Sequence, residues 1–229
     1  MPATPPKLPR APRDPTRQRL LEAAGRVFAE KGFREATVAD ICELAGANIA
    51  AVNYHFRTKE TLYAEAWRLA FQRSLDAHPP DGGVPPTAPP AERLRGRIRS
   101  VISRITDPEN REFEIIHKEF ANPTGLLAEV MRESIEPLRQ GTQGIVRELL
   151  GPKASEQEVG LCQMSVISQC MHPGLRRRCR NSPAGQRSKP VEPALDIDQE
   201  NMIEHITRFS LAGIQEIRRR RETPASRSL

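Results

Sequence analysis

The 229-residue chain has no run of about 18 apolar residues, so none of it is expected to span a membrane. Its opening, MPATPPKLPRAPRDPTRQRL, is basic and proline-rich without an apolar stretch. That argues against a secretory signal and for a cytoplasmic protein. Cys42, Cys162, Cys170 and Cys179 form no C-x-x-C pair, so they read as reduced thiols with no metal site. Period-2 alternation is missing, which disfavours sheet. Also missing are G-x-x-x-x-G-K, H-E-x-x-H and G-x-S-x-G, so no phosphate loop, zinc-protease pair or nucleophile elbow is present. The chain therefore does not read as an enzyme, and no cofactor is expected.

Positive charge is plentiful. The net charge of +6 and pI of about 9.5 favour a polyanionic partner, nucleic acid first. Lys7, Arg10, Arg13, Arg17 and Arg19 crowd the N-terminus against Asp14 alone. Five prolines in residues 1–13 predict a disordered basic arm.

Helical periodicity governs the rest of the chain, and the fold class is all-α. A first helix starts at Asp14-Pro15-Thr16, with Asp14 as cap and Pro15 at the first helical position. Leu20, Leu21, Ala24, Val27 and Phe28 form its apolar stripe, and Gly32 ends it. Thr37 and Asp40 form a capping-box-like pair opening a second helix, which Gly46 terminates. Asn48 caps a third, short helix from Ile49 to about His55. Thr58 caps a fourth, from Lys59 to about Leu75. Residues 77–92, with six prolines and adjacent glycines, read as a linker or long loop. Further helices are expected near 91–106, 109–121, 125–150, 155–171 and 199–221, with Pro137 a candidate break.

Two short helices joined by a glycine turn, after a longer one, make a helix-turn-helix. The stretch GANIAAVNYHFRTKE then has a physical rationale. Ala47, Asn48, Ile49 and Ala50 lead the third helix, and the alanines let a backbone approach closely. Ile49 and Ala50 suit thymine methyls, and Asn53 suits a base edge. Tyr54 and His55 can donate to phosphates, and Lys59 and Thr37 stand at helix starts where phosphate is favoured. Val52, Phe56, Phe28 and Leu44 are expected in the core.

The span TRQRLLEAAGRVFAEKGFREATVADICELAGANIAAVNYHFRTKETLYAEAW, residues 16–67, resembles the DNA-binding domain of the TetR/AcrR family of bacterial transcriptional regulators. GANIAAVNYHF, together with HITRFSLAGI at 205–214, is similar to the CecR-like branch of that family. The resemblance implies a homodimeric repressor whose C-terminal domain dimerises and holds a small-molecule effector. It implies an N-terminal three-helix helix-turn-helix domain plus a C-terminal helical bundle. The organisation expected is an arm at 1–13, a DNA-binding domain at 14–57 and a connecting helix at 58–76. After the loop at 77–92 come an effector-binding and dimerisation domain at 93–222 and a flexible tail at 223–229. A dimer is expected independently, because one short helix-turn-helix touches few bases and a two-fold pair reads a palindromic double-stranded operator.

For the effector pocket the candidates are Phe113, Ile116, His117, Phe120, Leu126, Leu127 and Met131. Glu114 and His117 form one E-x-x-H pair, whereas carboxylate-bridged di-metal bundles need two. For the dimer interface they are Leu161, Met164, Ile167, Ile206, Phe209 and Ile214. A regulator sensing redox or metal through Cys162, Cys170 and Cys179 is an alternative, and an architectural DNA-binding protein without effector is another. Periodicity stops at Pro173, and six Arg or Lys follow His172 before the first acid, Glu192. Two readings of 172–192 stay open, a basic loop or a locally shifted reading frame.

Overall fold

The computed structural model describes residues 14–181 and 198–222, with side chains to Met171 and again from Asp198. Among the described residues all regular structure is helical: α1 Pro15–Glu35, α2 Val38–Ala45, α3 Ile49–Phe56, α4 Lys59–Ala77, α5 Pro90–Thr106, α6 Glu112–Ala121, α7 Ala128–Leu150, α8 Glu156–Asn181 and α9 Gln199–Glu222. The N-terminal arm, the 182–192 part of the basic stretch and the 223–229 tail lie outside the described residues. The chain divides into two units. One comprises the residues up to Phe71 with Arg111–Val130; the other comprises Gln72–Asn110 with the chain from Met131 onward.

At α1 to α4 each helix start is held by the side chain expected to hold it. Asp14 accepts from the Thr16 N–H at 2.9 Å. Thr37 and Asp40 exchange both capping-box bonds at 3.0 Å. Asn48 accepts from the Ala51 N–H at 2.9 Å, and the Thr58 hydroxyl accepts from the Thr61 N–H at 3.2 Å. Each bond satisfies a backbone donor that a helix leaves orphaned. Gly32 interrupts α1 at φ 76°, and Gly46 ends α2 at φ 60°, both conformations that suit glycine. Leu20, Ala24, Phe28, Ile41, Val52, Phe56, Leu62 and Tyr63 form the core. The Phe28 and Tyr63 rings meet edge-on at 4.7 Å.

Residues 111–130, expected in the second region, pack instead with the first. α6 lies against α1, and the buried Glu119 ties α6 to Tyr63 of α4 and to the turn that follows α6. Its carboxylate accepts from the Tyr63 hydroxyl at 3.1 Å and from the Thr124 N–H, the Thr124 hydroxyl and the Gly125 N–H at 2.9 Å. Burial beside that carboxylate pushes the Tyr63 phenol well above its ordinary pKa.

In the second unit α5, α8 and α9 enclose a core of Leu94, Ile98, Ile102, Val146, Val159, Cys162, Val166, Cys170, Ile203, Ile206 and Ile214. The proline-rich stretch after α4 is an ordered loop rather than a linker. The Ser100 hydroxyl donates to the His78 carbonyl at 3.1 Å, and His78 pairs with Asp107 at 2.9 Å. A Cβ on Gly96 would sit 2.1 Å from the Asp81 carbonyl, so loop and helix backbones are in direct contact. α7 runs unbroken through Pro137. Pro137 and Glu133, four residues earlier, are both exposed, so water can bond the carbonyl that proline leaves unpaired. The α8 backbone likewise stays helical past Pro173 to Asn181, which corrects the expectation that the helix stops at that proline.

Candidate DNA-recognition surface

α3 is eight residues long and presents two faces. Val52 and Phe56, four apart, are 1% exposed and anchor it to the core, with the Arg17 guanidinium 5.2 Å over the Phe56 ring. The other face carries Ile49 at 54% and Tyr54 at 82% exposure, with Ala50 and Asn53 also exposed. Asn53 has no side-chain hydrogen bond to the described residues, so its amide is free to read a base edge. The turn places Ala47, half-buried, and Asn48, exposed, beside the leading end of this face.

The flanking candidates are held differently. Thr37 is exposed at the start of α2, its hydroxyl oxygen engaged by the Asp40 N–H. Lys31 lies 3.0 Å from Asp40 and, with the Thr37 bonds, holds that carboxyl down at about 2. Lys59 sits at the α4 start with its ammonium 4.3 Å above the Phe33 ring, so the ring fixes the charge in place. His55 departs from expectation. Its side chain is 10% exposed, with Nε2 3.5 Å from the Asp14 carboxylate, so it ties α3 to the start of α1 rather than facing outward. Leu44 is also corrected. It is 51% exposed, because α2 turns Ile41, Cys42 and Ala45 inward instead.

One part of this surface lies beyond the expected residues. An open hollow of about 480 Å³ is lined by Thr16 and Arg19 of α1 and by Cys42, Glu43, Gly46, Ala47, Asn48 and Ala51. Arg19 is exposed, and its one hydrogen bond among the described residues is a 3.4 Å donation to the Thr16 hydroxyl. The small residues of the turn create the hollow. Its signal in the sequence was that Arg19 belongs to a capped helix and not to the arm.

The other candidate groups disperse. Phe113, Ile116 and Leu127 are buried in the first unit and Leu126 is half-buried there, whereas Met131 is half-buried in the second. His117 and Phe120, the latter 69% exposed at the last turn of α6, face solvent and line no interior. Glu114 is engaged by Arg111 at 3.0 Å. On α8 and α9, Leu161, Met164 and Phe209 are exposed and Ile167 half-buried, but Ile206 and Ile214 belong to the subunit's own core. Cys162 and Cys170 are buried, which raises the Cys162 thiol and pushes Cys170 up to about 12. The Cys179 side chain lies outside the described residues.

An all-helical head whose second and third helices join at a glycine turn, the third presenting Ile49, Ala50, Asn53 and Tyr54 outward, has the form of a helix-turn-helix DNA-binding domain. Comparison with known proteins gives the family. Residues 20–66 match the bacterial regulatory proteins of the tetR family. Residues 90–214, more than half of the chain, match the C-terminal domain of the HTH-type transcriptional dual regulator CecR. The chain belongs to the TetR family of bacterial transcriptional regulators. It is 42% identical over 95 residues to the HTH-type transcriptional repressor KstR2 of Mycobacterium tuberculosis, a match spanning 39% of this chain and 44% of that one. Thus less than half the length of that relative is matched. Among solved structures, a transcriptional regulator from Pseudomonas aeruginosa PAO1 aligns with TM-score 0.70 at 19% identity, over 92% of this chain and 96% of its own. AibR, solved with isovaleryl coenzyme A and operator DNA, aligns with TM-score 0.61 at 16% identity, over 85% and 97%.

Proposed function

We propose that the protein is a ligand-responsive homodimeric repressor whose paired α3 helices read a palindromic operator. The observation that carries this reading is the division of α3, with Val52 and Phe56 buried and Ile49, Asn53 and Tyr54 presented outward. Ile49 and Ala50 meet thymine methyls and Asn53 meets a base edge, while Tyr54, Thr37, Lys59 and Arg19 engage the backbone. The dimer forms through α8 and α9, where Leu161, Met164 and Phe209 are large apolar residues left uncovered in the subunit. Their exposure favours an isologous interface of these helices. The effector is a small molecule bound by the C-terminal domain, a reading supported by AibR, which shares the fold and was solved with both an acyl-coenzyme A and operator DNA.

Regulation follows from an equilibrium between two spacings of the heads. Successive major grooves on one face of the duplex are about 34 Å apart, and the binding-competent dimer matches that spacing. A ligand that prefers the mismatched state releases DNA, and only to the extent of that preference. Footprinting on DNA upstream of the protein's own gene tests the reading. A symmetric protected site with half-sites one helical turn apart is expected. Protection of a single unpaired half-site, or none on any fragment, overturns it.

A further inference from the structure

α5 carries five arginines, and four have partners within the second unit. Arg93 is held by Glu148 and by the Ala88 carbonyl. Arg95 pairs with Glu200 and with Glu204 at 3.5 Å. Arg99 pairs with Glu200 at 3.1 Å, and Arg104 donates to the Ser74 hydroxyl at 2.9 Å. Arg97 has no hydrogen bond or ion pair to any described residue. Its guanidinium lies against α7, where a Cβ at Gly141 would come 2.5 Å from Arg97 Nη2. Burial in this position lowers the Arg97 pKa, and Asp81 partly offsets the effect from beyond ion-pair reach. The Asp81 carboxylate is turned to its own loop, where it accepts from the Gly83 N–H at 2.9 Å.

A partly desolvated guanidinium without a partner is costly, and natural proteins seldom keep one. Its planar fork of donors matches a carboxylate or a phosphate. We propose that Arg97 is the anchor for an oxyanion, a carboxylate or phosphate carried by the effector, bound between α5 and α7 beside the 78–89 loop. This deepens the effector reading above and rests on it for the link to DNA, but the binding step can be tested without DNA.

The experiment is thermal unfolding of the full-length protein in chloride, then in sodium phosphate or sodium acetate at matched pH and ionic strength. Stabilisation of the wild type is expected to saturate, raising the midpoint by about 3–6 °C at ten times the Kd. Arg97→Gln should show only the non-saturating rise that excluded salts give any protein. Asp81→Asn removes the one nearby negative charge, keeps an oxygen for the Gly83 N–H, and should saturate at several-fold lower anion concentration. This variant carries the test if Arg97→Gln fails to fold. A response to phosphate alone or to acetate alone supports the site and names the group it takes. No saturable rise with either anion, equal rises in wild type and Arg97→Gln, or an unchanged Asp81→Asn curve each overturns it. Failure here leaves the operator footprint standing, and an absent footprint leaves this result standing.

Discussion

The two units differ in where their unpaired cations lie. In the second, several arginines are matched to glutamates, Arg93 to Glu148, Arg99 to Glu200, Arg147 to Glu156 and Arg219 to Glu216, and Arg97 stands apart from them. In the first, Arg17 and Lys31 are paired, but Arg19, Arg26 and Arg57 have no acidic partner among the described residues. Each exposed pair is worth little in stability. The difference instead sets which surface can attract a polyanion. Most of the net charge of +6 lies in the second unit, so in the head it is the position of Arg19, Arg26 and Arg57, not the net charge, that can draw a polyanion. Exposed large apolar residues occur in both units. In the head they are Leu44, Ile49, Tyr54 and Phe120, while α8 and α9 carry Leu161, Met164, Phe209 and Ile217.

This contrast can be broken or sharpened by measurement. Phe56→Ala removes the anchor that keeps the outward face of α3 outward, and should cost about 3–5 kcal/mol in the head, read by urea unfolding. A loss under about 1 kcal/mol would show that Phe56 is not what holds the helix. Phe209→Glu should weaken dimerisation by about 2–4 kcal/mol, seen as a shift to monomer in sedimentation, with helical content retained. An unshifted dimer would move the interface off α9. On DNA, Asn53→Ala should cost about 1–3 kcal/mol on the operator and leave random DNA binding unchanged. Arg19→Ala and Lys59→Ala should weaken both DNAs alike and reduce the salt slope by about 1 each, whereas Arg99→Ala should leave the slope alone. Equal slopes for Arg19→Ala and Arg99→Ala would abolish the proposed asymmetry. The smallest effect concerns acid. Asp40 sits at about 2 in the fold against an ordinary 3.8. Its contribution is therefore complete above pH 4 and fades as pH falls from there through about 2. Asp40→Asn should flatten that part of the stability profile.

The helix starts were legible because capping is local chemistry. Asp14, Thr37, Asn48 and Thr58 reach donors two or three residues away, so spacing alone identifies them. The two faces of α3 were legible for a similar reason, since Val52 and Phe56 differ from their neighbours in size and spacing. Leu44, His55 and Phe120 were misplaced because burial depends on what packs alongside. Leu44 has helical spacing suited to a core, yet nothing covers it; His55 looks available until the start of α1 approaches. For the stretch after α4, composition left linker and long loop both open. Prolines and paired glycines suit a tether, but here they build turns that grip α5. Arg97 was invisible among its neighbours, because whether an arginine has found a carboxylate cannot be read from spacing along one helix.

The contact between that loop and Gly96 bears on how the chain can be re-engineered. A Cβ on Gly82 would come 2.3 Å from the Gly96 carbonyl, and one on Gly96 would come 2.1 Å from that of Asp81. Chimeras that splice the head of this regulator onto another sensor would naturally be cut in the proline-rich segment, which looks expendable. Such a junction would strip α5 of a backbone partner that no glycine-serine spacer can imitate, so a viable seam must leave residues 78 to 96 intact.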